Sequence, residues 1–244
     1  SVVVIRNQNI TNDEHIKFSE NFGALELTKV GTDGSGSKLI ILRNFDEEGN
    51  IVPSTDRQRL NNLANQEWHS DSSFKKVPSK MSILSAKIIP STGGNTEFLS
   101  MRASYNALPQ DLKLKIDDKV CWHDYSHGRS KIDPNLVTPE EKQALPPVKQ
   151  KLVLGNNKHG KSLYLGAHCR NVDGMSENDS KDLLAEINSY IDHEKFVYSH
   201  VWEPYDLIMW DNRAVLHRAT PVKGKIEKRL MVRTTIAGVY STLN

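Results

Sequence analysis

Three side chains with metal-ligating chemistry stand in two widely separated stretches of the sequence. The first stretch is Asn65-Gln66-Glu67-Trp68-His69-Ser70-Asp71. On extended backbone, residues two apart project to the same face, so His69 and Asp71 would present an imidazole and a carboxylate side by side. Such a pair supplies two cis ligands for a divalent metal, although a bare His-x-Asp also occurs as a hydrogen-bonded surface pair. The second stretch, Asp206 to Arg218, carries His217 beyond an apolar strand and a turn-forming Asp211-Asn212 pair. Alone, His217 reads first as a core histidine bonded to backbone. Joined to His69 and Asp71, it completes a set of two histidines and one carboxylate. That set leaves coordination positions open and is the arrangement of non-haem Fe(II) oxygenases. Arg229 and Arg233 favour the metal reading. They lie four apart in the strand-like run Lys228-Arg229-Leu230-Met231-Val232-Arg233-Thr234-Thr235, so both face one side. Arginine grips carboxylates bidentately and keeps its charge when buried. Two inward arginines beside a metal are costly unless anions come to them. Thr96, in Thr92-Gly93-Gly94-Asn95-Thr96-Glu97-Phe98, could add a hydroxyl to the same anion.

The elements that must position these residues are mostly strands. Val2–Ile5, Lys38–Arg43, Met81–Ile89, Phe196–Trp202, Leu207–Asp211 and Leu230–Ala237 are β-branched or apolar runs of strand length. Lys151–Leu154 and Ser162–Leu165 form a hairpin pattern around Gly155–Gly160. Asn44 to Arg59 reads as a loop from its acidic residues, Gly49 and Pro53. Two capping boxes start helices, Thr11 with Glu14 and Thr138 with Glu141, the second with Pro139 at its first position. Ser100–Ala107 and Gln110–Lys115 are short helices around Pro109. Ser176–His193 is the longest, with Leu183, Leu184, Ile187 and Ile191 at helical spacing. Strands outnumber helices and lie far apart in the chain. That pattern predicts one domain over residues 1–244, an α+β fold dominated by β, in which a jelly roll carries helices on its outside.

With those residues in order, the chain resembles the Fe(II)- and 2-oxoglutarate-dependent taurine/2,4-dichlorophenoxyacetate (TauD/TfdA) dioxygenase family. The matching segments are FSENFG (Phe18–Gly23), WHSDSSF (Trp68–Phe74), GNTEF (Gly94–Phe98), LYLGAH (Leu163–His168), FVYSHVW (Phe196–Trp202), WDNRAVLHRA (Trp210–Ala219) and RLMVRTT (Arg229–Thr235). The resemblance implies a double-stranded β-helix core. It implies that His69, Asp71 and His217 bind Fe(II) and are the catalytic set, and that Arg229, assisted by Thr96, holds the distal carboxylate of the cosubstrate 2-oxoglutarate. By the same resemblance Arg233 holds the acidic group of the primary substrate. Asn65 lines the substrate pocket, as do Tyr198 and the His127-Gly128-Arg129 segment. Iron, 2-oxoglutarate and O2 would together hydroxylate a small anionic substrate, with release of succinate and CO2. The retained Asp71 speaks for oxygenation, because related halogenases carry a small residue where chloride must bind. WHSDSSF and the stretch Met101–Pro109 resemble the branch that cleaves aryloxyalkanoate ethers. A taurine or alkylsulfonate hydroxylase and a hydroxylase of an amino acid or natural product fit the same residues. Two other classes compete: a catalytically silent jelly roll that binds a small acid, and a zinc hydrolase on the same triad. The hydrolase lacks a recognisable general-base glutamate and leaves Arg229 and Thr96 without a role.

Composition narrows the field further. In 244 residues, 37% are hydrophobic and 25% charged, which is globular rather than disordered. Lys plus Arg is 32 and Asp plus Glu is 30, so a net charge of +2 argues against a nucleic-acid binder. No apolar run reaches the ~18 residues of a membrane span. Two cysteines, Cys121 and Cys169, make no disulfide framework and point to a reducing, cytoplasmic setting. Both are expected as small core residues, and His15, His159 and His193 as helix or surface residues. His200 either reaches the pocket or packs. A strand at residue 1, without an initiator Met or a signal-peptide pattern, predicts a short preceding segment. The family resemblance allows a homo-oligomer.

Overall fold

The structure, a computed structural model, describes residues 1–28, 34–156, 160–191, 193–222 and 227–244. His159 and the tip of the expected hairpin lie outside the described residues. The chain enters on β1 (Val2–Ile5). Thr11 caps α1 (Asn12–Glu20): its hydroxyl accepts from the Glu14 N–H, and the Glu14 carboxylate accepts from the Thr11 N–H. After β2 (Ile40–Arg43), Asp56 caps α2 (Arg57–Ala64), which replaces the end of the expected loop. Its first turn is Arg-Gln-Arg, and Leu60, Leu63 and Ala64 give an apolar stripe of a single turn, too short to reveal the helix. β3 (Met81–Ile88) and β4 (Thr96–Ser100) are followed by α3 (Met101–Ala107) and α4 (Gln110–Ile116), which meet at Pro109. Then come β5 (Val120–His123), α5 (Tyr125–Arg129) and α6 (Pro139–Ala144), the last with the Thr138–Glu141 capping box. Next are β6 (Val148–Lys151), β7 (Val153–Asn156), β8 (Gly160–Leu163), β9 (Cys169–Val172) and α7 (Glu177–Ser189). The chain closes with β10 (Val197–His200), β11 (Leu207–Asp211), β12 (Val215–Ala219) and β13 (Leu230–Ile236).

Two antiparallel sheets make the frame. One runs β1-β11-β3-β13-β2 and the other β10-β4-β12, so neighbours in space are distant in sequence. The inner faces share one core cluster, in which Leu84, Trp210 and Met231 of the larger sheet meet Phe98 and Val215 of the smaller. Each such side chain contributes about 1.5–3 kcal/mol when fully buried, and together they hold the sheets face to face as a jelly roll. A second cluster closes one end: Leu112 of α4 with Leu183 and Ile187 of α7 pack on Leu163 and on the buried thiol residues Cys121 and Cys169. Among the described residues no helix is long and apolar enough to cross a membrane.

β12 is the strand that delivers the first histidine. It pairs with β4 and, on its other side, meets the segment after α2 in an isolated antiparallel bridge between His69 and His217. The His69 N–H donates to the His217 carbonyl at 3.1 Å, and the His217 N–H donates to the His69 carbonyl at 2.9 Å. Two residues 148 positions apart are thereby placed directly opposite one another.

Candidate active site

The bridge sets the imidazoles of His69 and His217 4.2 Å apart, centroid to centroid. Asp71, two residues on, presents its carboxylate on the same side as the His69 ring, and the chain then turns at Ser72, whose φ is +54°. Its Oδ1 lies 4.0 Å from His69 Nε2 and its Oδ2 lies 3.7 Å from His217 Nε2. The three donor atoms fall within 4.8 Å of one another, and all three residues are buried.

The protonation chemistry suits a cation. His69 Nδ1 lies 2.7 Å from the Glu67 carbonyl, which can only accept, so Nδ1 carries the proton and Nε2 offers its lone pair. Burial lowers the pKa of His69 and takes that of His217 well below its ordinary value, so both rings stay neutral. For Asp71 burial pushes upward, but the charge of Arg233, helped by the hydrogen bond from Ser82, outweighs it and holds the carboxyl well below the usual range. Two neutral imidazoles and one carboxylate, with no thiolate, make a set that suits iron.

Asn212 holds this corner in place, a role its turn-forming character does not reveal. It is buried, and its side-chain oxygen accepts from the Trp210 indole N–H at 2.8 Å and from the Asp71 N–H at 3.4 Å. Its amide donates to the hydroxyls of Ser79 and Ser82 at 3.0 and 2.9 Å. Those hydroxyls in turn donate to the Asp71 carbonyl and to Asp71 Oδ2, both at 2.7 Å. The Ser70 hydroxyl donates to the Asn212 carbonyl at 2.6 Å. Both the backbone and the carboxylate of Asp71 are thus oriented by one amide and two serines.

Two cavities meet at the triad. One, of about 360 Å³, is lined by His69, His217, Thr96, Arg229 and Arg233 among others. Arg229 donates to the Gly94 carbonyl at 3.3 Å and has no carboxylate partner among the described residues; burial alone draws its pKa down to about 10. Gly94, at φ +65°, lets the chain pass close: a Cβ there would sit 3.3 Å from Arg229 Cδ and Nε. The Thr96 hydroxyl accepts from the Trp202 indole at 3.1 Å, so its own proton is free for an acceptor in the cavity. The other cavity, of about 460 Å³, is lined by His69, Asp71, Arg129 and Arg233, with Phe74, Tyr125 and His168 as an aromatic wall. Asn65 and Arg233 line both.

Of the residues expected at the site, His69, Asp71, His217, Thr96, Arg229, Arg233, Asn65 and Arg129 are brought together. Arg233 is already engaged: its Nη1 donates to Asp71 Oδ1 at 2.6 Å. Tyr198 is not brought in. It is 45% exposed on β10 and lines neither cavity, and its hydroxyl pairs with His200 Nδ1 at 2.9 Å. His200 packs: its Nε2 bonds Asp206 at 2.9 Å, which in turn pairs with Arg6. His15 is a helix residue, on the inward face of α1, fully buried beside the Thr234 hydroxyl. His168 is the residue whose placement was not anticipated. It is buried and packs edge-on to Phe74, and only the LYLGAH segment marked it.

Fold and site together define a jelly-roll protein with a two-histidine, one-carboxylate centre beside an arginine that has no carboxylate partner among the described residues. The comparisons agree. The model for "Taurine catabolism dioxygenase TauD, TfdA family" matches residues 1–235. The alpha-ketoglutarate-dependent 2,4-dichlorophenoxyacetate dioxygenase of Cupriavidus pinatubonensis is 37% identical over 97% of this chain and 84% of its own. The (S)-phenoxypropionate/alpha-ketoglutarate-dioxygenase of Sphingobium herbicidovorans is 28% identical over 98% of this chain and 82% of its own. A crystal structure of AAD-2 in complex with Mn(II) and N-oxalylglycine superposes with a TM-score of 0.88 at 40% identity, covering 99% of this chain and 86% of that one. The chain belongs to the TauD/TfdA dioxygenase family, and it is a 2-oxoglutarate-dependent non-haem dioxygenase.

Proposed function

We propose that His69, Asp71 and His217 hold one Fe(II), that Arg229 and Thr96 hold the distal carboxylate of 2-oxoglutarate, and that the aromatic-walled cavity takes a small anionic organic substrate of the aryloxyalkanoate kind. The observation that carries this reading is Arg229: a desolvated guanidinium with no carboxylate partner among the described residues, in the same cavity as His69 and His217. An enclosed cation of this kind is matched by a ligand anion.

Each of the chain's own groups has a definable task. The Glu67 carbonyl fixes the His69 tautomer, and the Asn212–Ser79–Ser82 network aims Asp71. Arg229 would grip the distal carboxylate bidentately while the Thr96 hydroxyl donates to it. Iron, 2-oxoglutarate and O2, when bound, would supply the oxidative decarboxylation in which one atom of O2 goes to succinate, CO2 leaves, and the other atom is delivered to a substrate carbon. The cavity walls bring that carbon to the centre and exclude water. Hydroxylation next to an ether oxygen would give a hemiacetal that collapses to an alcohol and an aldehyde.

The test is the visible spectrum of the anaerobic protein on addition of Fe(II) and then 2-oxoglutarate. A charge-transfer band that needs both additions, and is absent from folded His69→Ala, is the expected result. Folded wild-type protein without the band overturns the assignment.

A further inference from the structure

Five cationic side chains line the larger cavity: Lys38, Arg57, Lys75, Arg129 and Arg233. Four already have carboxylates. Lys38 pairs with Glu20 at 2.5 Å, Arg57 with Glu141 at 2.6 Å, Lys75 with Glu26 at 2.5 Å and Arg233 with Asp71 at 2.6 Å. Arg129 has no ion pair among the described residues. Its Nε reaches Asn61 Oδ1 at 3.4 Å, a long hydrogen bond, and its guanidinium carbon lies 4.1 Å from the centre of the Tyr125 ring. Stacking on the ring fixes the plane of the fork and leaves its terminal N–H groups uncommitted. Burial lowers its pKa, against the opposing pull of Tyr125 and of the nearby Glu141 carboxylate, which already pairs with Arg57. The same Tyr125 ring meets Phe74 edge-on at 4.7 Å, so the free guanidinium borders an aromatic wall.

Resting on the dioxygenase reading above, we propose that Arg129, pre-positioned on Tyr125, is a specificity-determining anchor for the substrate's acidic group on the cavity wall that it shares with Arg233. An aryl acid would lay its ring on Phe74 and His168 and its carboxylate on Arg129. The alternative is structural: Arg129 would merely tie α5 to α2 through Asn61. An anion-binding role and a structural role respond differently to charge on the ligand.

The experiment uses wild-type, Arg129→Met and Arg129→Lys proteins loaded anaerobically with Fe(II) and 2-oxoglutarate. Phenoxyacetate and its methyl ester are titrated against the charge-transfer band. Removing one charge-assisted contact is expected to weaken phenoxyacetate by at least about tenfold in Arg129→Met. The loss is smaller in Arg129→Lys, ester binding changes by less than about twofold, and 2-oxoglutarate affinity stays at the wild-type value. Equal weakening of acid and ester shows a structural role and overturns the proposal, as does unchanged acid binding in Arg129→Met. A wild-type band that responds to neither probe also overturns it. Absence of the band itself in wild-type protein strikes instead at the dioxygenase reading.

Discussion

Replacing Asn212 by alanine should cost both stability and metal affinity, although no atom of Asn212 is a ligand. The change removes the acceptor of the Trp210 indole N–H, which is buried. An indole has no other hydrogen to offer, so this donor is left unsatisfied at about 1–3 kcal/mol. Ser79 and Ser82 keep the bonds they donate to Asp71 but lose the amide that donates to them. Each of those losses is worth about 0.5–1.5 kcal/mol. The sum, about 2–6 kcal/mol, predicts a fall in Tm of about 5–20 °C for a chain of this size. Only their bonds to Asp71 then hold the two hydroxyls in place, so the Asp71 carboxylate is aimed less firmly. Loss of such supporting contacts typically weakens metal binding about 10–100-fold. Differential scanning fluorimetry gives the first quantity, and competition with a chromogenic chelator gives the second. An Asn212→Ala protein that melts within 1 °C of wild type (about the error of the assay) and binds metal as tightly would show that the network does not support the site.

Arg229→Met should separate ligand binding from folding. It removes a desolvated cation without a carboxylate partner among the described residues, so the unliganded variant should melt no lower than wild type. With metal present, 2-oxoglutarate at about 100 times its Kd should raise the wild-type Tm by about 5–10 °C and leave that of the variant unchanged. A variant that keeps the ligand-induced shift would place the carboxylate elsewhere. His15 should shape the acid limb of stability. Burial, helped by the charge of Lys87, lowers its pKa from 6.5 to about 4. Between those values the unfolded chain binds the proton and the folded one does not, so stability is fully present above about pH 6.5 and declines as pH falls toward 4. The shift corresponds to up to about 3 kcal/mol. His15→Leu should flatten urea-denaturation midpoints over that window, and an unchanged slope would contradict the assignment.

Much of the site was legible because its chemistry resides in residue types. Two histidines, one aspartate and an arginine in a strand-like run restrict the possibilities whatever their arrangement, and capping boxes at Thr11 and Thr138 depend only on neighbours three apart. Short strands such as β4 and β12, with five residues each, were not legible, because their pairing partners lie elsewhere in the chain. The same limit applies to side-chain partners. Tyr198 shares the face of its cross-strand partner Phe98, but β10 is an edge strand paired with β4 alone, so that face is left partly uncovered at Tyr198, and nothing local in the sequence marks the edge. The bridge that opposes His69 to His217 depends on long-range register, and the Asn212–Ser79–Ser82 contacts that aim Asp71 join residues up to 141 positions apart. Above all, only tertiary structure decided how charge is distributed around the cavities. The sequence shows Arg129, Arg229 and Arg233 as equal cations. The fold pairs Arg233 with an aspartate 162 positions away and leaves Arg129 and Arg229 without carboxylates among the described residues. Coulombic pairing acts through space, and spatial neighbours of this kind do not exist until the sheets close.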